Sequence, residues 1–413
     1  MSDKLVLHKI KLPRKIKYQK LVIILPGIFL VVFLLLYLMD RQGILTKIFR
    51  NYQRIDSSFV LLEPENTKKG LESVIDLLPT PPIPRDKENP INGVMMTKAE
   101  YAELITRHPI AITVNNLVPA RPQHGLSKAD TVLEVLSEGG ITRYVPIFYQ
   151  NYDVAKVGPV RSLRYYMIEF ASGYGDAVIL HHGWAGFDGN PWETYREKTD
   201  ARGAVFKLGI KSLQTAASTY RDKDKAKSAG YVHSLYTDFT RINAELKRMQ
   251  GTWKLGGEVV TPLTFKYDED FEKRGDFKSV TIQFLSLSKN DYTAKFVYNK
   301  ENNEYERYIA NKPDIDLVTG AQITPKNVII EWHNYGDARD GHNRIIIDMI
   351  GEDKVVVLRD GLKLAGKWKK ECRTCRTKYY NEDGSEIALV RGQIWIVNAV
   401  KVGDRSVSNV TYE

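Results

Sequence analysis

The chain has 413 residues, of which 43% are hydrophobic, and it carries 60 Lys and Arg residues against 50 Asp and Glu residues, a net charge of +10. This length and apolar content predict two folded domains with appended segments. Residues 1–50 hold ten of the basic and two of the acidic residues, a balance of +8, so the other 363 residues carry only +2. Since the excess charge is local, we do not expect the chain to bind nucleic acid.

A membrane anchor is predicted at Leu21–Met39. This uncharged, mostly aliphatic run would span roughly 28 Å as a helix, which is enough to cross a bilayer. Seven Lys or Arg residues precede the run, so the positive-inside rule predicts that residues 1–20 are cytoplasmic and that residues 40–413 lie outside the cell membrane. A cleavable signal peptide and a buried core helix are the alternatives, but the run is longer than a usual signal sequence, and DRQGIL after it contains no small-x-small cleavage site.

A proline-rich stalk is predicted at residues 40–89. Five prolines stand in the segment LPTPPIPRDKENP, and they favour an extended, semi-rigid backbone. We interpret the stalk as a spacer, with a docking site for a proline-binding partner as the alternative.

A mixed α/β domain is predicted at residues 90–255. Strands are predicted where β-branched and aromatic residues concentrate, and helices where apolar residues recur every three to four positions. The predicted strands are 108–114, 131–136, 141–149 and 176–182, and the predicted helices are 162–172, 210–220 and 237–250.

A mainly antiparallel β domain is predicted at residues 256–413. Short runs rich in β-branched and aromatic residues, from SVTIQFL to QIWIVNA, alternate there with turn signals such as EDG and RDG. The predicted fold class is therefore α+β, with a mixed α/β domain followed by a mainly antiparallel β domain and one transmembrane helix before both.

Charged and turn-forming residues are densest between residues 120 and 164. They do not follow the periodicity of one helix or one strand, and they include the arginines Arg121, Arg143, Arg161 and Arg164 and the carboxylates Asp130, Glu134 and Glu138. Such a block is typical of a polar site that binds an anionic or highly polar ligand.

The segment VGPVRSLR within this block predicts an anion site at a helix start. Pro159 suits the first turn and Ser162 can cap it, so free backbone amides would lie beside Arg161 and Arg164. Arginine donates two parallel hydrogen bonds to a carboxylate or phosphate. The alternative is that these arginines form structural ion pairs with the carboxylates of the same block.

Three histidines are candidates for proton transfer: His181, His182 and His233. His181 and His182 end a predicted strand, and alternation along the strand sends their rings to opposite faces, so only one can point into a given pocket. A histidine paired with Glu134 or Glu138 would form an acid–base pair. An ordinary hydrogen-bonded histidine is the alternative for each ring.

Metal, cofactor and nucleophile motifs are weak. HExxH and GxSxG are absent, and we expect no metal and no cofactor. The motif SLSK at residues 286–289 lies between predicted strands instead of opening a helix. The CxxC pair Cys372 and Cys375 is interpreted as a small disulfide in a β turn, with a redox site or half of a shared zinc site as alternatives.

Several motifs resemble the YerB-like family of bacterial cell-surface proteins, whose two adjoining domains have no known function. The first half of the chain supplies PIAITVNN, ARPQHGLSKAD, EGGITRY, VGPVRSLRYY and the His-x-x-Tyr of VHSLYT. The second half supplies ERYIANKP, NVIIEW, NRIII, LRDGLKLAGKWKK and DGSEIALVRGQIWI. The resemblance covers residues 90–400 and implies a cell-envelope location without an established reaction.

Two features depart from this family. Its members are typically lipoproteins tethered through an N-terminal Cys, whereas this chain has no such Cys and is expected to use a transmembrane anchor. The family motif of an arginine followed by Pro-His-Asn-x-Tyr appears here as AGYVHSLYT, which keeps His233 and Tyr236 without the Pro and the Asn. Arg221 and His233 remain candidates for a pocket.

Three functions follow as hypotheses. In the first, the first domain binds an anionic or polyhydroxylated cell-wall component, or a cell-wall enzyme, and the candidate binding residues are Arg121, Asp130, Glu138, Arg143, Arg161, Arg164, Arg221 and His233. In the second, the protein is an envelope hydrolase with Glu138 or Glu134 and His181 or His233 as its acid–base pair. In the third, it is a scaffold whose β domain docks a membrane partner.

Overall fold

The computed structural model describes residues 83–187, 189, 196–250, 252–253, 260–285 and 290–413. The predicted cytoplasmic tail, the anchor at Leu21–Met39, most of the predicted stalk and the SLSK motif lie outside the described residues. None of the helices in these ranges has both the length and the apolar character needed to span a bilayer.

Five α-helices lie in the described part of the first half, and three of them begin at an aspartate that accepts a main-chain N–H bond of the first turn, as good N-caps do. Thr97 and Glu100 form a reciprocal capping box at the first helix. The helices are α1 (Lys98–Leu104), α2 (Tyr165–Ala171), α3 (Ala201–Lys207), α4 (Lys223–Ala229) and α5 (Phe239–Met249).

Short strands separate these helices, and strands dominate the second half. The strands of the first half are β1 (Lys87–Glu88), β2 (Met95–Met96), β3 (Ile110–Ile112), β4 (Val114–Asn115), β5 (Thr131–Leu136), β6 (Thr142–Phe148), β7 (Val178–Leu180), β8 (Ser212–Leu213), β9 (Tyr220–Arg221) and β10 (Leu235–Tyr236). Those of the second half are β11 (Phe265–Lys266), β12 (Ser279–Gln283), β13 (Ala294–Asn299), β14 (Glu304–Ile309), β15 (Lys312–Pro313), β16 (Ile315–Asp316), β17 (Ala321–Gln322), β18 (Asn327–Asp337), β19 (Ile345–Ile347), β20 (Gly351–Arg359), β21 (Leu362–Lys370), β22 (Lys378–Asn381), β23 (Leu389–Val390), β24 (Ile394–Val402), β25 (Arg405–Ser406) and β26 (Asn409–Tyr412). The protein is an α+β protein.

Strands from both halves join one thirteen-stranded sheet. Its main path runs β22-β21-β20-β18-β24-β5-β6-β3-β7-β8, with β19, β25 and β4 attached beside it. The halves meet where β24 pairs with β5 in parallel, with Ile394 opposite Thr131 and Val397 opposite Glu134. The first seven residues of β24 are buried, as expected for a central strand covered on both faces.

A second, five-stranded sheet (β15-β14-β13-β12-β26) supplies the other wall of the core. Phe296 of this sheet lies 6.1 Å from Trp395 of β24, measured between ring centroids, and Tyr144 of β6 lies 5.6 Å from the same indole. Arg307 of β14 is fully buried beside these rings and pairs with Glu134 and Asp314. Both halves of the chain therefore contribute to this region of the core.

The prediction of a helix at residues 210–220 is wrong. Ser212 and Leu213 form the edge strand β8, and the main-chain N–H groups of Ile179 and His181 donate to carbonyls of Lys211 and Leu213. Pairing with this edge satisfies main-chain groups of β7, and that requirement outweighs the weak helical preference of an amphipathic pattern.

The helix predicted at 162–172 begins at Tyr165, three residues after the predicted start. Arg164 occupies the N-cap position of α2, and no side chain caps the helix, so Ser162 does not have the predicted capping role. The preceding residues are extended, because Arg161 N–H donates to the Thr113 carbonyl and Leu163 N–H donates to the Gly183 carbonyl. This main-chain pairing fixes the arginines on an extended segment.

Cys372 and Cys375 form a disulfide in the turn between β21 and β22, with Cα atoms 5.0 Å apart. The turn packs on the C-terminal end of α2, where Arg373 donates to the Ser172 hydroxyl at 2.8 Å. The buried Lys370 ammonium donates to the Cys375 carbonyl. Several contacts besides the disulfide therefore hold this turn.

Replacing both cysteines by serine is expected to lower the free energy of unfolding by only about 2 kcal/mol, because a loop this short loses little entropy when it closes. Urea denaturation of the variant and the wild type under oxidising conditions measures the difference, and the reduced wild type is the control. A variant that fails to fold would show that the disulfide, and not the contacts of Arg373 and Lys370, holds the turn.

Candidate anion-binding site

Glu138 begins the tight connection between β5 and β6. Gly139 and Gly140 follow it with φ values of 68° and 74°, a left-handed conformation that glycine adopts without strain. Ser137 N–H donates to the Ile141 carbonyl at 2.6 Å and closes the turn. The EGG motif thereby holds one carboxylate at the end of the hairpin.

Arg164 and Arg143 form ion pairs with this carboxylate. Arg164 donates from Nε and Nη2 to the two carboxylate oxygens of Glu138, with the Nη2–Oε2 distance at 3.0 Å. Arg143 approaches Oε2 at 3.4 Å and donates to the Ser162 carbonyl at 2.9 Å. The three side chains are only 11–20% exposed, so solvent screens their interaction little.

The charges of this group are unbalanced. Burial acts to raise the pKa of Glu138, but hydrogen bonds and positive charge from Arg164, with the charge of Arg143, outweigh it and lower the pKa to about 2. Burial and repulsion from Arg164 lower the pKa of Arg143 to about 10. One carboxylate thus serves two guanidinium groups.

Arg161 and Arg221 add two more guanidinium groups. Burial, followed by repulsion from Arg164 and Arg221, lowers the pKa of Arg161. Arg221 stacks on the Tyr231 ring at 3.9 Å and donates to the Tyr231 carbonyl at 2.5 Å. Among the described residues, no carboxylate lies within 4.0 Å of a nitrogen of Arg161 or Arg221.

His233 and His182 lie beside these arginines. Burial, and then the charges of Arg161 and Lys225, lower the pKa of His233. His182 is exposed, and burial of part of its ring, followed by the charges of Arg221 and Arg161, lowers its pKa as well. We call this group the arginine site: Glu138, Arg143, Arg161, Arg164, His182, Arg221 and His233.

Two candidate residues lie in the core instead. Asp130 is 1% exposed and accepts bonds from Asn89, Asn92 and the main chain of Tyr149 and Gln150, and burial raises its pKa to about 6. His181 is fully buried, with Nδ1 bonded to the Gly183 carbonyl and Nε2 bonded to the Ser212 hydroxyl. Both side chains therefore have structural roles, since their buried polar atoms form hydrogen bonds within the core.

Arg121 and Glu134 are also held by other partners. Arg121 donates to the Asn116 side chain at 2.9 Å, and its guanidinium lies 5.0 Å from the Tyr292 ring centroid. Glu134 is fully buried and accepts a bond from Arg307 at 2.8 Å. Arg121, Asp130, Glu134 and His181 are therefore not among the residues that form the arginine site.

Asn115 was not among the predicted site residues, and His182 was predicted only as a candidate for proton transfer. Strand alternation correctly predicted different surroundings for the two adjacent histidines, but the sequence does not say which ring faces the arginines. Asn115 bonds His233 at 2.9 Å, and the only signal for it is the pair of asparagines directly after the strand at 108–114.

A groove of about 1190 Å³ lies on the β20-β21-β22 ribbon and shares no residue with the arginine site. Its charges are largely compensated: Asp353 pairs with Lys401, Lys369 pairs with Glu371, and Lys354 lies over Trp332. Because uncompensated charge indicates function better than volume does, we favour the arginine site.

The fold and the site define an α+β protein with a cationic site beside a hairpin turn. Residues 96–252 match a family model described as "Protein of unknown function (DUF3048) N-terminal domain", and residues 280–396 match the C-terminal domain of the same family. The chain belongs to this family, which confirms the resemblance to YerB-like proteins.

The chain is 29% identical over 309 residues to the "Putative lipoprotein YerB" of Bacillus subtilis (strain 168), a match that covers 74% of this chain and 84% of that protein. The crystal structure of YerB from Bacillus subtilis matches with a TM-score of 0.64 at 24% identity and covers 79% of this chain and 100% of the solved chain. The two proteins share a fold.

Proposed function

We propose that the protein is a membrane-anchored, extracytoplasmic envelope protein that binds an anionic cell-wall component at the arginine site. The location is supported by the homologous YerB, whose name describes a lipoprotein, and by the apolar run at Leu21–Met39 that follows a basic segment. A transmembrane anchor would replace the lipid and leave residues 40–413 on the outer side.

The observation that carries the binding proposal is the excess of positive charge. Arg143 and Arg164 share the Glu138 carboxylate, and Arg161 and Arg221 have no carboxylate partner among the described residues. Burial, followed by repulsion from neighbouring arginines, lowers the pKa of Arg143 and Arg161. Such an arrangement costs folding free energy unless an anion compensates it. A bound anion would complete the ion pairs that the chain itself leaves open.

The same geometry weighs against the hydrolase hypothesis. A carboxylate with a pKa of about 2 is too weak a base to take a proton at neutral pH, so Glu138 is suited to an ion pair. Glu134 is committed to Arg307, and both ring nitrogens of His181 are bonded. The scaffold hypothesis stays a prediction.

Replacing Arg161 or Arg221 by alanine is expected to weaken binding of anionic cell-wall fragments by about tenfold or more, because each charged hydrogen bond contributes on the order of 1.5–3 kcal/mol. The measurement is a titration of full-length protein in detergent with fragments that do or do not carry the anionic polymer. Arg405→Ala, which removes an exposed arginine of β25, is the matched control. Unchanged affinity in both site variants would contradict the proposal.

A further inference from the structure

We infer that the group bound at the arginine site is a phosphate, a tetrahedral oxyanion, and not a carboxylate. This inference rests on the proposed function. It depends on where the unused donors come from, on the proton position in His233 and on the unoccupied edge of Arg161.

The donors left open come from four separate chain segments. Arg161 precedes α2, His182 follows β7, Arg221 ends β9, and His233 follows α4. Main-chain bonds bring these segments together: His182 N–H donates to the Arg161 carbonyl at 3.0 Å, and Arg221 lies opposite Leu235 in the β9-β10 pair. The main-chain pairing therefore places donors from separate segments near one another.

The proton of His233 is placed by Asn115. The side-chain oxygen of Asn115 accepts from Leu117 N–H at 3.0 Å, so its amide nitrogen faces Nδ1 of His233 at 2.9 Å. Nδ1 must accept that bond, and the proton of the neutral ring therefore lies on Nε2. His233 offers the site a neutral N–H donor whose position Asn115 fixes.

Arg161 has an unoccupied binding edge. In Arg164, the edge formed by Nε and Nη2 holds the Glu138 carboxylate. Nε of Arg161 is buried without an acceptor in the described residues, and its Nη1 makes one long contact to the Val232 carbonyl at 3.4 Å. A buried donor without an acceptor is destabilising, and a ligand oxygen would supply the missing acceptor.

The number and directions of the donors favour phosphate. A carboxylate has two oxygens in one plane, and a single arginine edge engages both, as in the Glu138–Arg164 pair. The terminal oxygens of inorganic phosphate or a phosphate monoester are arranged tetrahedrally around phosphorus, and each of the two terminal oxygens of a diester can accept hydrogen bonds from several directions. Phosphate oxygens can therefore engage the Arg161 edge together with donors from Arg221 and His233.

Three sources present this chemistry: free phosphate, a polyol-phosphate polymer of the envelope and the headgroup of an anionic phospholipid. The test uses full-length protein in detergent, titrated with inorganic phosphate and with acetate at equal ionic strength. Phosphate is expected to bind at least about tenfold more tightly than acetate. Binding to a polyglycerol-phosphate chain identifies the polymer as the source, and binding to phosphatidylglycerol but not phosphatidylcholine vesicles identifies the lipid.

Asn115→Leu tests the role assigned to the histidine, because without the amide the ring proton can move to Nδ1. We expect about a three- to tenfold loss of phosphate affinity with little change in acetate affinity. His233→Gln, which retains an N–H donor, should lose less affinity than His233→Ala.

Failure of this inference is distinguishable from failure of the proposed function. Equal affinity for phosphate and acetate, with both lost in Arg161→Ala, would overturn the phosphate assignment and leave anion binding intact. Absence of any effect of Arg161→Ala and of Arg221→Ala on either anion would overturn both. Thermal unfolding of each variant without ligand shows whether lost binding reflects a lost fold.

Discussion

Replacing Arg307 by leucine is expected to lower the free energy of unfolding by about 3–5 kcal/mol, because it leaves buried carboxylates without their counter-charge. Arg307 is fully buried, donates to Glu134 at 2.8 Å and pairs with Asp314. Its guanidinium also lies 4.5 Å from the centroid of the Trp395 ring. Urea denaturation at neutral pH measures the loss.

Two further variants serve as controls for the Arg307→Leu measurement. Lys273→Ala removes an exposed i,i+3 pair with Asp270 and should change the stability little. Combining Arg307→Leu with Glu134→Leu and Asp314→Leu should recover much of the stability, since no charge then remains unpaired. A loss below about 1 kcal/mol for Arg307→Leu alone would show that water reaches the cluster.

Replacing Glu138 by glutamine is expected to shift stability and anion binding in opposite directions. The free energy of unfolding of the variant should be about 3 kcal/mol lower at neutral pH, because the variant lacks the ionised carboxylate whose pKa is lowered to about 2 in the folded protein. It should bind phosphate about tenfold more tightly, because Arg143 and Arg164 are released for the ligand.

The pH dependence gives an independent check. The folded-state pKa of Glu138 lies below the ordinary 4.5, so its stabilising contribution is complete above about pH 4.5 and is lost as the pH falls toward about 2. Unfolding free energies of the variant and the wild type should therefore converge in acid. Glu371→Gln, which removes an exposed carboxylate paired with Lys369, is the matched control. If phosphate binding disappears in Glu138→Gln, the Glu138 carboxylate is required for phosphate binding and does not compete with the phosphate for Arg143 and Arg164.

Local patterns predicted the strands that carry the site. The strand predicted at 131–136 coincides with β5, and the strand predicted at 141–149 contains β6, because β-branched and aromatic residues there alternate with a glycine turn between the two runs. Glu138, Arg143 and Arg164 meet because a hairpin and the next segment place them near one another. Sequence distance was a good guide to this part of the site.

Long-range partners were not predictable from local pattern. Glu134 lies in the same block, yet its partner Arg307 is on β14, and nothing near either residue indicates the pairing. Asp130 is likewise satisfied by asparagines that precede α1. These carboxylates belong to the core because strands distant in sequence bury them. Composition and local spacing could not predict this burial.

The parallel pairing of β5 with β24 also sets the order in which the chain can finish folding. About 260 residues separate the paired positions Thr131 and Ile394, so β5 leaves the ribosome long before its neighbour exists. Until then one edge of β5 is an open template for pairing with other chains. Synthesis of this protein therefore includes an interval in which its first half is unfinished and needs protection from aggregation.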